Sequence, residues 1–288
     1  MHELDSLSIS WEFVEYEKAG VVFLLAPYEA TVSWGEGTSK GPKAVMEAFL
    51  NLELFDHELD CSPYEVGICL LGLELEGMKP LDAVRLVRDK AAEVLGDGKF
   101  PVLVGGEHSL SVGMVEAFSG RCSDLSILQL DAHADLRSEF RGERYSHACV
   151  MSHIRELADA VQVGVRSLSR GEAEQIKKEG YNIFWARDIV ENKKWFREAI
   201  DALGENVYLT IDLDVFDPSI MPSVGTPEPG GLDWYLVMDF LKLLCEERNV
   251  VGFDVVEFSP IKDFSSPDYL AARLLYKLVG YVFADELK

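Results

Sequence analysis

Short apolar segments alternate with longer amphipathic segments along the whole chain. The short segments are rich in β-branched residues, which predicts β-strands. Strands are predicted at 20–26, 64–71, 100–104, 125–130, 160–165, 181–185, 207–212 and 250–256. The amphipathic segments between them predict helices at 41–51, 80–96, 109–119, 148–158, 170–179, 192–203, 233–247 and 267–283.

This alternation predicts a parallel α/β fold. Most of the strands are apolar on both faces, as in a sheet that is covered on both sides. Because no linker and no internal repeat divides the sequence, we predict one domain over residues 1–288. Ligands of such folds bind outside the carboxyl ends of the strands, so we expect the chemistry in the Gly- and Pro-rich segments at 105–109 and 222–231.

Charge and composition narrow the class of protein. The chain has 288 residues, with 27 Lys and Arg against 50 Asp and Glu, and a formal net charge of −23. Such a surface repels nucleic acid and anionic membranes and attracts cationic ligands. A hydrophobic fraction of 48% excludes wholesale disorder. No uncharged apolar run approaches the roughly 20 residues that span a bilayer, and the acidic N-terminus lacks the pattern of a secretion signal.

The cysteine pattern indicates a reducing compartment. No CxxC pair occurs, which argues against a disulfide framework or a zinc knuckle, and the predicted location is the cytoplasm. The five cysteines are Cys61, Cys69, Cys122, Cys149 and Cys245. Cys149 follows His147 closely, but a Cys–His hydrolase needs a third orienting group, so we interpret Cys149 as a small packing residue.

Three predicted strands run directly into acidic residues and histidines. The strand at 125–130 continues as DAHAD, the strand at 207–212 as the pair Asp212 and Asp214, and the strand at 100–104 leads into GGEH. The residues concerned are His108, Asp131, His133, Asp135, Asp212 and Asp214. Alternate residues of an extended chain point the same way, so these side chains gather at one edge of the sheet. Without protons or cations among them, this crowding would cost several kcal/mol per buried ion.

The number and type of these side chains predict a pair of metal ions. Six ligands are too many for one ion with open positions and suit two ions that share carboxylates. Oxygen-rich ligation with some imidazole favours Mn²⁺ over zinc. Two ions roughly 3.5–4 Å apart would bridge a water and lower its pKa, which predicts metal-assisted hydrolysis. A single DxD or GGxH motif is often only a turn, whereas three such motifs at three strand ends favour the metal site.

Five segments between residues 105 and 260 carry a more specific signal. In chain order they are GGEHS, DAHADLR, SHACVM, TIDLDVFDPSIMPSVGTPEPGGL and DVVEFSP. They resemble the signature segments of the ureohydrolases, the arginase and agmatinase family, and the SHACVM and GTPEPGGL forms are most similar to agmatinases. The resemblance implies a three-layer α/β/α fold with a central, mostly parallel sheet of about eight strands. It also implies two Mn²⁺ ions per chain and a homo-oligomer, either a trimer or a hexamer.

The resemblance also assigns the ligands to the two ions. One manganese is matched by His108, Asp131, Asp135 and Asp212. The other is matched by Asp131, His133, Asp212 and Asp214, so Asp131 and Asp212 are the expected bridging carboxylates. Glu107 stands where the family commonly has Asp, and Ala148 and Cys149 stand where many agmatinases have Gly-Thr. Neither departure removes a ligand, although both leave the shape of the substrate pocket open.

Three residues carry further family roles. Glu257 in DVVEFSP matches the carboxylate that holds the substrate guanidinium, and a carboxylate can accept two donors of that planar fork. His147 in YSHACV matches the histidine that relays protons, against the alternative of an incidental loop histidine. Asp214 is expected to hydrogen-bond the attacking hydroxide. We expect Asp254 to support the turn that carries Glu257. The remaining histidines, expected at the surface, are His2, His57 and His153.

The leading functional prediction is hydrolysis of a small cationic guanidine, agmatine, to urea and putrescine, which implies a place in polyamine biosynthesis. Alternatives with the same chemistry are arginine, guanidinobutyrate, an aminopropyl derivative of agmatine and formiminoglutamate. A metal-dependent deacetylase usually has a His–His pair, and none occurs here. A non-catalytic metal-binding scaffold is the alternative from another class, but no ligand is missing.

Three arginines bear on the choice between agmatine and arginine. The acidic charge of the chain disfavours a substrate carboxylate. In the segment before His147, however, lie Arg137, Arg141 and Arg144, any of which can pair with a carboxylate if it turns inward. We expect these three to be solvated or paired with Glu139 and Glu143.

Overall fold

Eight parallel strands form the centre of the structure, a computed structural model that describes residues 13–190 and 192–288. The strands are β1 (Val21–Ala26), β2 (Ile68–Gly72), β3 (Phe100–Gly105), β4 (Leu125–Leu130), β5 (Asp159–Val165), β6 (Asn182–Trp185), β7 (Asn206–Asp212) and β8 (Asn249–Val256). They form one sheet in the order β2-β1-β3-β8-β7-β4-β5-β6. Every neighbouring pair is parallel.

Helices cover both faces of this sheet. They are α1 (Gly41–Phe49), α2 (Pro80–Gly96), α3 (Ser111–Phe118), α4 (Val150–Ile154), α5 (Arg170–Glu179), α6 (Ala186–Ile189), α7 (Trp195–Asp201), α8 (Trp234–Glu247) and α9 (Ser266–Val282). Two buried apolar cores lie between the three layers. Side chains of β4 pack into both, with Leu128 in one core and Ile127 in the other. The predicted three-layer α/β/α fold is confirmed.

Local sequence explains where several helices begin and end. Before α5, the Ser169 hydroxyl accepts a hydrogen bond from the Glu172 amide, and the Glu172 carboxylate accepts one from the Ser169 amide. This capping box satisfies amides that the first helical turn leaves free. The helix ends at Gly180, whose φ of 69° is the left-handed conformation that glycine adopts without strain. No helix in the described ranges is long and apolar enough to cross a membrane.

The structure corrects three predicted elements. The strand predicted at 64–71 begins only at Ile68, because Pro63–Val66 forms a 3-10 turn and Gly67 follows with a φ of 76°. The helix predicted at 148–158 is shortened to α4 after a 3-10 turn at His147–Cys149. The segment predicted at 192–203 contains the shorter helix α7, and α6 was not predicted.

The order of the strands determines which segments lie together at the carboxyl edge of the sheet. Strands β3, β8, β7 and β4 are neighbours at the middle of the sheet, although they are far apart in sequence. Their carboxyl ends therefore bring together the segments that follow residues 105, 130, 212 and 256.

Candidate metal centre

A buried histidine faces three carboxylates at this edge. The Nδ1 atom of His108 lies 3.2 Å from Asp131 Oδ2, 3.4 Å from Asp135 Oδ2 and 3.4 Å from Asp212 Oδ2. Within the described residues, this buried nitrogen has no hydrogen-bond partner of acceptable geometry. Buried polar atoms are nearly always satisfied, so an orphaned ring nitrogen aimed at carboxylate oxygens fits a metal ligand.

A second cluster lies beside the first and shares one residue with it. The Nδ1 atom of His133 is 2.8 Å from Asp214 Oδ2 and 3.6 Å from Asp131 Oδ1. The candidate ligand atoms within each cluster, His108–Asp131–Asp212 and Asp131–His133–Asp214, lie within 4.8 Å of one another. Asp131 turns one oxygen toward each histidine, which is the geometry of a bridging carboxylate.

Asp212 pairs with His108 alone among the described histidines, whereas Asp131 pairs with both His108 and His133. The Oδ2 of Asp212 faces His108, whereas its Oδ1 accepts a hydrogen bond of 2.9 Å from the amide of Asp214. It therefore belongs to the first cluster, and its bridging role stays a prediction.

Asp135 belongs to the first cluster because its Oδ2 lies 3.4 Å from His108 Nδ1. Its backbone has a φ of 51°, in the left-handed region. That conformation turns the chain back toward the site after β4.

The electrostatics of the clusters show an excess of negative charge. Burial, and then the charge of Asp131, raises the pKa of Asp135 to about 7. Burial, and then the neighbouring aspartates, raises the pKa of Asp212 well above its ordinary value. Burial alone would lower the pKa of His108, but the surrounding carboxylates, Asp131 above all, raise it well above the ordinary value. Carboxylates that take up protons while imidazoles hold theirs define a site that divalent cations would neutralise.

Glu257 lies against the clusters at the end of β8. The amide of His108 donates a hydrogen bond of 2.6 Å to Glu257 Oε1, and the Glu257 amide donates to the Gly106 carbonyl. Burial, and then the charge of Glu107, raises the Glu257 pKa to about 8. Its φ of 64° is unusual for a glutamate and costs of order 1–3 kcal/mol. The surroundings pin this backbone so that the carboxylate lines the cavity beside the two clusters.

His147 is held by two hydroxyls at the other side of the cavity. Its Nε2 lies 2.8 Å from Ser33 Oγ and its Nδ1 lies 3.1 Å from Thr31 Oγ1. Burial lowers the pKa of His147. The imidazole is therefore neutral near pH 7 and can accept a proton.

Glu107, which departs from the usual family residue, organises the segment that holds His147. Its buried carboxylate accepts hydrogen bonds from the amides of Ala30 and Thr31 and from the hydroxyls of Thr31 and Ser109. The Thr31 hydroxyl in turn accepts from the His147 amide. Glu107 is thus a structural anchor whose role the sequence did not indicate.

Of three buried polar residues behind the ligands, two were not singled out in the sequence, Gln129 and Thr210. Gln129, Thr210 and Asp254 are register partners on β4, β7 and β8, and all three are fully buried. Gln129 donates 2.6 Å to Asp131 Oδ2, while Thr210 Oγ1 lies 2.9 Å from His108 Nε2. The signal was present in the sequence, because Gln129 and Thr210 are polar residues that stand two positions before a ligand in mainly apolar strands.

Asp254 has a different place from the predicted one. It lies within β8 and accepts hydrogen bonds of 2.6 Å from both Tyr208 and Thr210. It therefore supports His108 through Thr210 and not the turn of Glu257. The reason is the register of β7 and β8, which pairs Thr210 with Asp254.

Arg166 is a further residue that the sequence did not single out. Its guanidinium donates to the main-chain oxygens of Asp214 at 2.7 Å and Glu228 at 2.7 Å. It also reaches the carbonyls of Gly164 and Phe216. Arg166 thus joins the segment after β7 to the Pro- and Gly-rich segment at 222–231.

The cavity above the clusters has a volume of about 210 Å³. Its lining includes Glu257, which is buried, and His147, Phe140 and Arg137, which are half-buried, whereas Trp34 is the exposed residue at its rim. The position of Arg137 corrects the expected pairing, since its partner is Glu172 at 3.7 Å. The two other arginines of this segment are exposed, as expected, namely Arg141 and Arg144.

The remaining sequence predictions have mixed outcomes. Cys149 is fully buried, and burial raises its pKa to about 11, which suits a packing residue. All five cysteines are free. His57 is exposed, but His153 is half-buried, with its ring stacked on Tyr145 at 4.5 Å. His2 lies outside the described residues.

Comparison with known proteins decides the family. The model of the family described as "Arginase family" matches residues 19–280. The chain belongs to the arginase family. This arginase-family member is therefore a ureohydrolase, and its two His/Asp clusters are candidate metal sites in a family of dinuclear metal enzymes.

Individual relatives cover nearly the whole arginase-family chain. It is 40% identical over 275 residues to an N(1)-aminopropylagmatine ureohydrolase from Synechocystis sp., covering 92% of this chain and 90% of the relative. It is 34% identical to an agmatinase from Pyrococcus horikoshii, with 93% of each chain covered. The crystal structure of the agmatine ureohydrolase of Thermoplasma volcanium superposes with a TM-score of 0.88 at 32% identity, covering 99% of both chains.

Proposed function

We propose that this ureohydrolase uses two Mn²⁺ ions to hydrolyse a guanidine with a cationic far end, giving urea and an amine. The observation that carries the proposal is the orphaned, buried Nδ1 of His108, facing three carboxylates beside a second cluster that shares Asp131. Oxygen-rich ligation with two imidazoles suits Mn²⁺. The proposed ligands are His108, Asp131, His133, Asp135, Asp212 and Asp214.

In the proposed mechanism, the protein residues orient the substrate and move the proton. Two divalent ions bound by the six ligands would lower the pKa of a shared water and so supply the nucleophile. Glu257 accepts hydrogen bonds from two guanidinium N–H groups and balances the guanidinium charge. The bound cation lowers the raised pKa of Glu257 and so favours its ionised form. Asp214, with Oδ1 held by the Ala132 amide, accepts a hydrogen bond from the attacking oxygen. Neutral His147 relays the proton that the departing amine needs.

For the substrate, we propose agmatine and N1-aminopropylagmatine as the two candidates. Agmatine fits the acidic chain and the carboxylate of Glu257. The aminopropyl derivative is favoured by the higher identity to the relative that carries its name, 40% against 34% for the agmatinase. Arginine is disfavoured because Arg137, the nearest candidate partner for a carboxylate, is already paired with Glu172. The proposed product is a polyamine or its precursor.

A urea-release assay with added Mn²⁺ tests the proposal. Both cationic guanidines should exceed arginine and guanidinobutyrate in kcat/KM by more than about tenfold, equivalent to roughly 1.4 kcal/mol in the transition state. Glu257→Gln is the matched control, because it keeps the size of the side chain and removes the charge. Equal or faster hydrolysis of arginine would contradict the substrate assignment, and absence of urea from every guanidine would contradict the function.

We also propose three properties that the sequence predicted. The cysteine pattern predicts a cytoplasmic location, the absence of a linker predicts one domain over residues 1–288, and the family resemblance implies a homo-oligomer of three or six chains. The free cysteines support a reducing compartment. Sedimentation velocity measures the number of chains directly, and a monomer would contradict the proposed assembly.

A further inference from the structure

We propose that Trp34 is a specificity-determining residue, whose indole face binds the cationic far end of the substrate. The inference rests on the proposed function, because it concerns the other end of the guanidine that Glu257 holds. Trp34 lines the same cavity as Glu257 and His147, yet its side chain is 82% exposed. It is the most exposed large hydrophobic residue in the described part of the chain.

The backbone around Trp34 is fixed although its side chain is uncovered. On one side, the Ser33 hydroxyl lies 2.8 Å from His147 Nε2. On the other side, the Gly35 amide donates 3.2 Å to the Gly225 carbonyl. A Cβ at Gly35 would lie 2.9 Å from that carbonyl oxygen, so only glycine permits this approach. The indole is therefore attached to a rigid rim that directly contacts the proposed proton relay.

The indole face is free to receive a ligand, unlike the other aromatic ring of the rim. The Phe140 ring already has the guanidinium groups of Arg137 at 5.3 Å and Arg141 at 5.1 Å over it. Trp34 has no ring or cation contact within the described ranges. Because tryptophan is the side chain that attracts cations most strongly through its face, the uncovered indole is the cation-binding surface of this rim.

The chemistry of the proposed substrates matches this arrangement. The guanidinium end is drawn inward by the buried carboxylate of Glu257. The alkyl chain then extends outward along the cavity, and the ammonium reaches the rim. A second ammonium, as in the aminopropyl derivative, would add charge at the same end. An aromatic face at the exposed rim can bind the ammonium of agmatine or of the longer aminopropyl derivative.

Steady-state kinetics on two guanidines of equal length test this role. Agmatine ends in an ammonium, whereas pentylguanidine has a methyl group in its place. Trp34→Leu should lower kcat/KM for agmatine about three- to thirtyfold, mainly through KM, and leave pentylguanidine within about twofold. Trp34→Phe is the matched control and should retain most of the agmatine activity, since it keeps an aromatic face. The 82% exposure of the side chain means that these variants should fold normally.

Each other result has a defined meaning. An equal loss on both substrates, or no loss on either, overturns the inference and leaves the proposed function intact. A change in sedimentation of Trp34→Leu assigns the indole to a contact between subunits and also overturns it. A wild-type protein that releases urea neither from these two guanidines nor from N1-aminopropylagmatine overturns the proposed function itself, and the inference with it.

Discussion

Replacing Thr210 by valine should weaken metal binding without touching a proposed ligand. Thr210 Oγ1 donates 2.6 Å to Asp254 Oδ1 and lies 2.9 Å from His108 Nε2. Since its hydrogen is directed to Asp254, its lone pair accepts the Nε2 hydrogen of His108. This holds the proton on Nε2 and leaves Nδ1 free for a metal ion.

The size of the effect follows from burial. His108, Thr210 and Asp254 are all fully buried, so no water replaces the lost hydroxyl. A buried N–H without an acceptor costs about 1–3 kcal/mol. His108 can avoid that cost by moving its proton to Nδ1, which then points at Asp131 and competes with the ion. Partners of this kind typically change metal affinity 10–100-fold, which is about 1.4–2.7 kcal/mol.

Calorimetric titration of the metal-free protein with Mn²⁺ measures this effect without relying on activity. One of two binding events should weaken in Thr210→Val, while Thr210→Ser, which keeps the hydroxyl, should resemble the wild type. Thermal unfolding of both metal-free variants checks that they are folded. Two ions bound by Thr210→Val with wild-type affinity would refute the reasoning, as would an equal loss in Thr210→Ser.

Three further predictions concern the ligands, the relay and the fold. Asp131→Ala should abolish activity and reduce the bound Mn²⁺ from two ions, measured by metal analysis after dialysis, because both clusters share this carboxylate. His147→Ala should keep both ions but lose about 10²–10⁴ in turnover, measured as urea release. Lys277→Met should cost about 2–3 kcal/mol in urea unfolding at pH 7, because buried Lys277 lies 2.9 Å from Asp56 and 2.6 Å from Glu58.

The pH dependence of the last effect has a definite sign. Burial opposes ionisation of Glu58, but hydrogen bonds from Lys277 and Lys242 lower its pKa from 4.5 to about 2. The ion pair therefore stabilises the fold fully above pH 4.5, and this stabilisation is lost as the pH falls toward 2. The stability difference between wild type and Lys277→Met should narrow over that range, and a constant difference would contradict the assignment.

For the other two variants, full activity of Asp131→Ala or loss of metal from His147→Ala would be the contradictory result.

Local patterns in the sequence determined the layers of the fold and the proposed ligands. Apolar strands covered on both faces can only be buried between helices, so strand and helix alternation indicated the three layers. Polar residues that end such strands are exposed at one edge, so DAHAD and the Asp212–Asp214 pair could be assigned to a common site. The ends of strands and helices were predicted less accurately. The apolar pattern at 64–71 predicted a strand, but the turn at Pro63–Val66 and the positive φ of Gly67 delay the start of β2 to Ile68.

Only the tertiary structure decided which strands are neighbours, and with them the surroundings of each ligand. The order β3-β8-β7-β4 places Asp254 behind His108 through Thr210, a contact between residues far apart in sequence. The packing of the loops likewise pairs Arg137 with Glu172 and places Trp34 at the rim of the cavity. Hydrophobic patterning is a property of each segment by itself, whereas strand order and loop packing depend on the free energy of the whole chain, so no local pattern encodes these contacts.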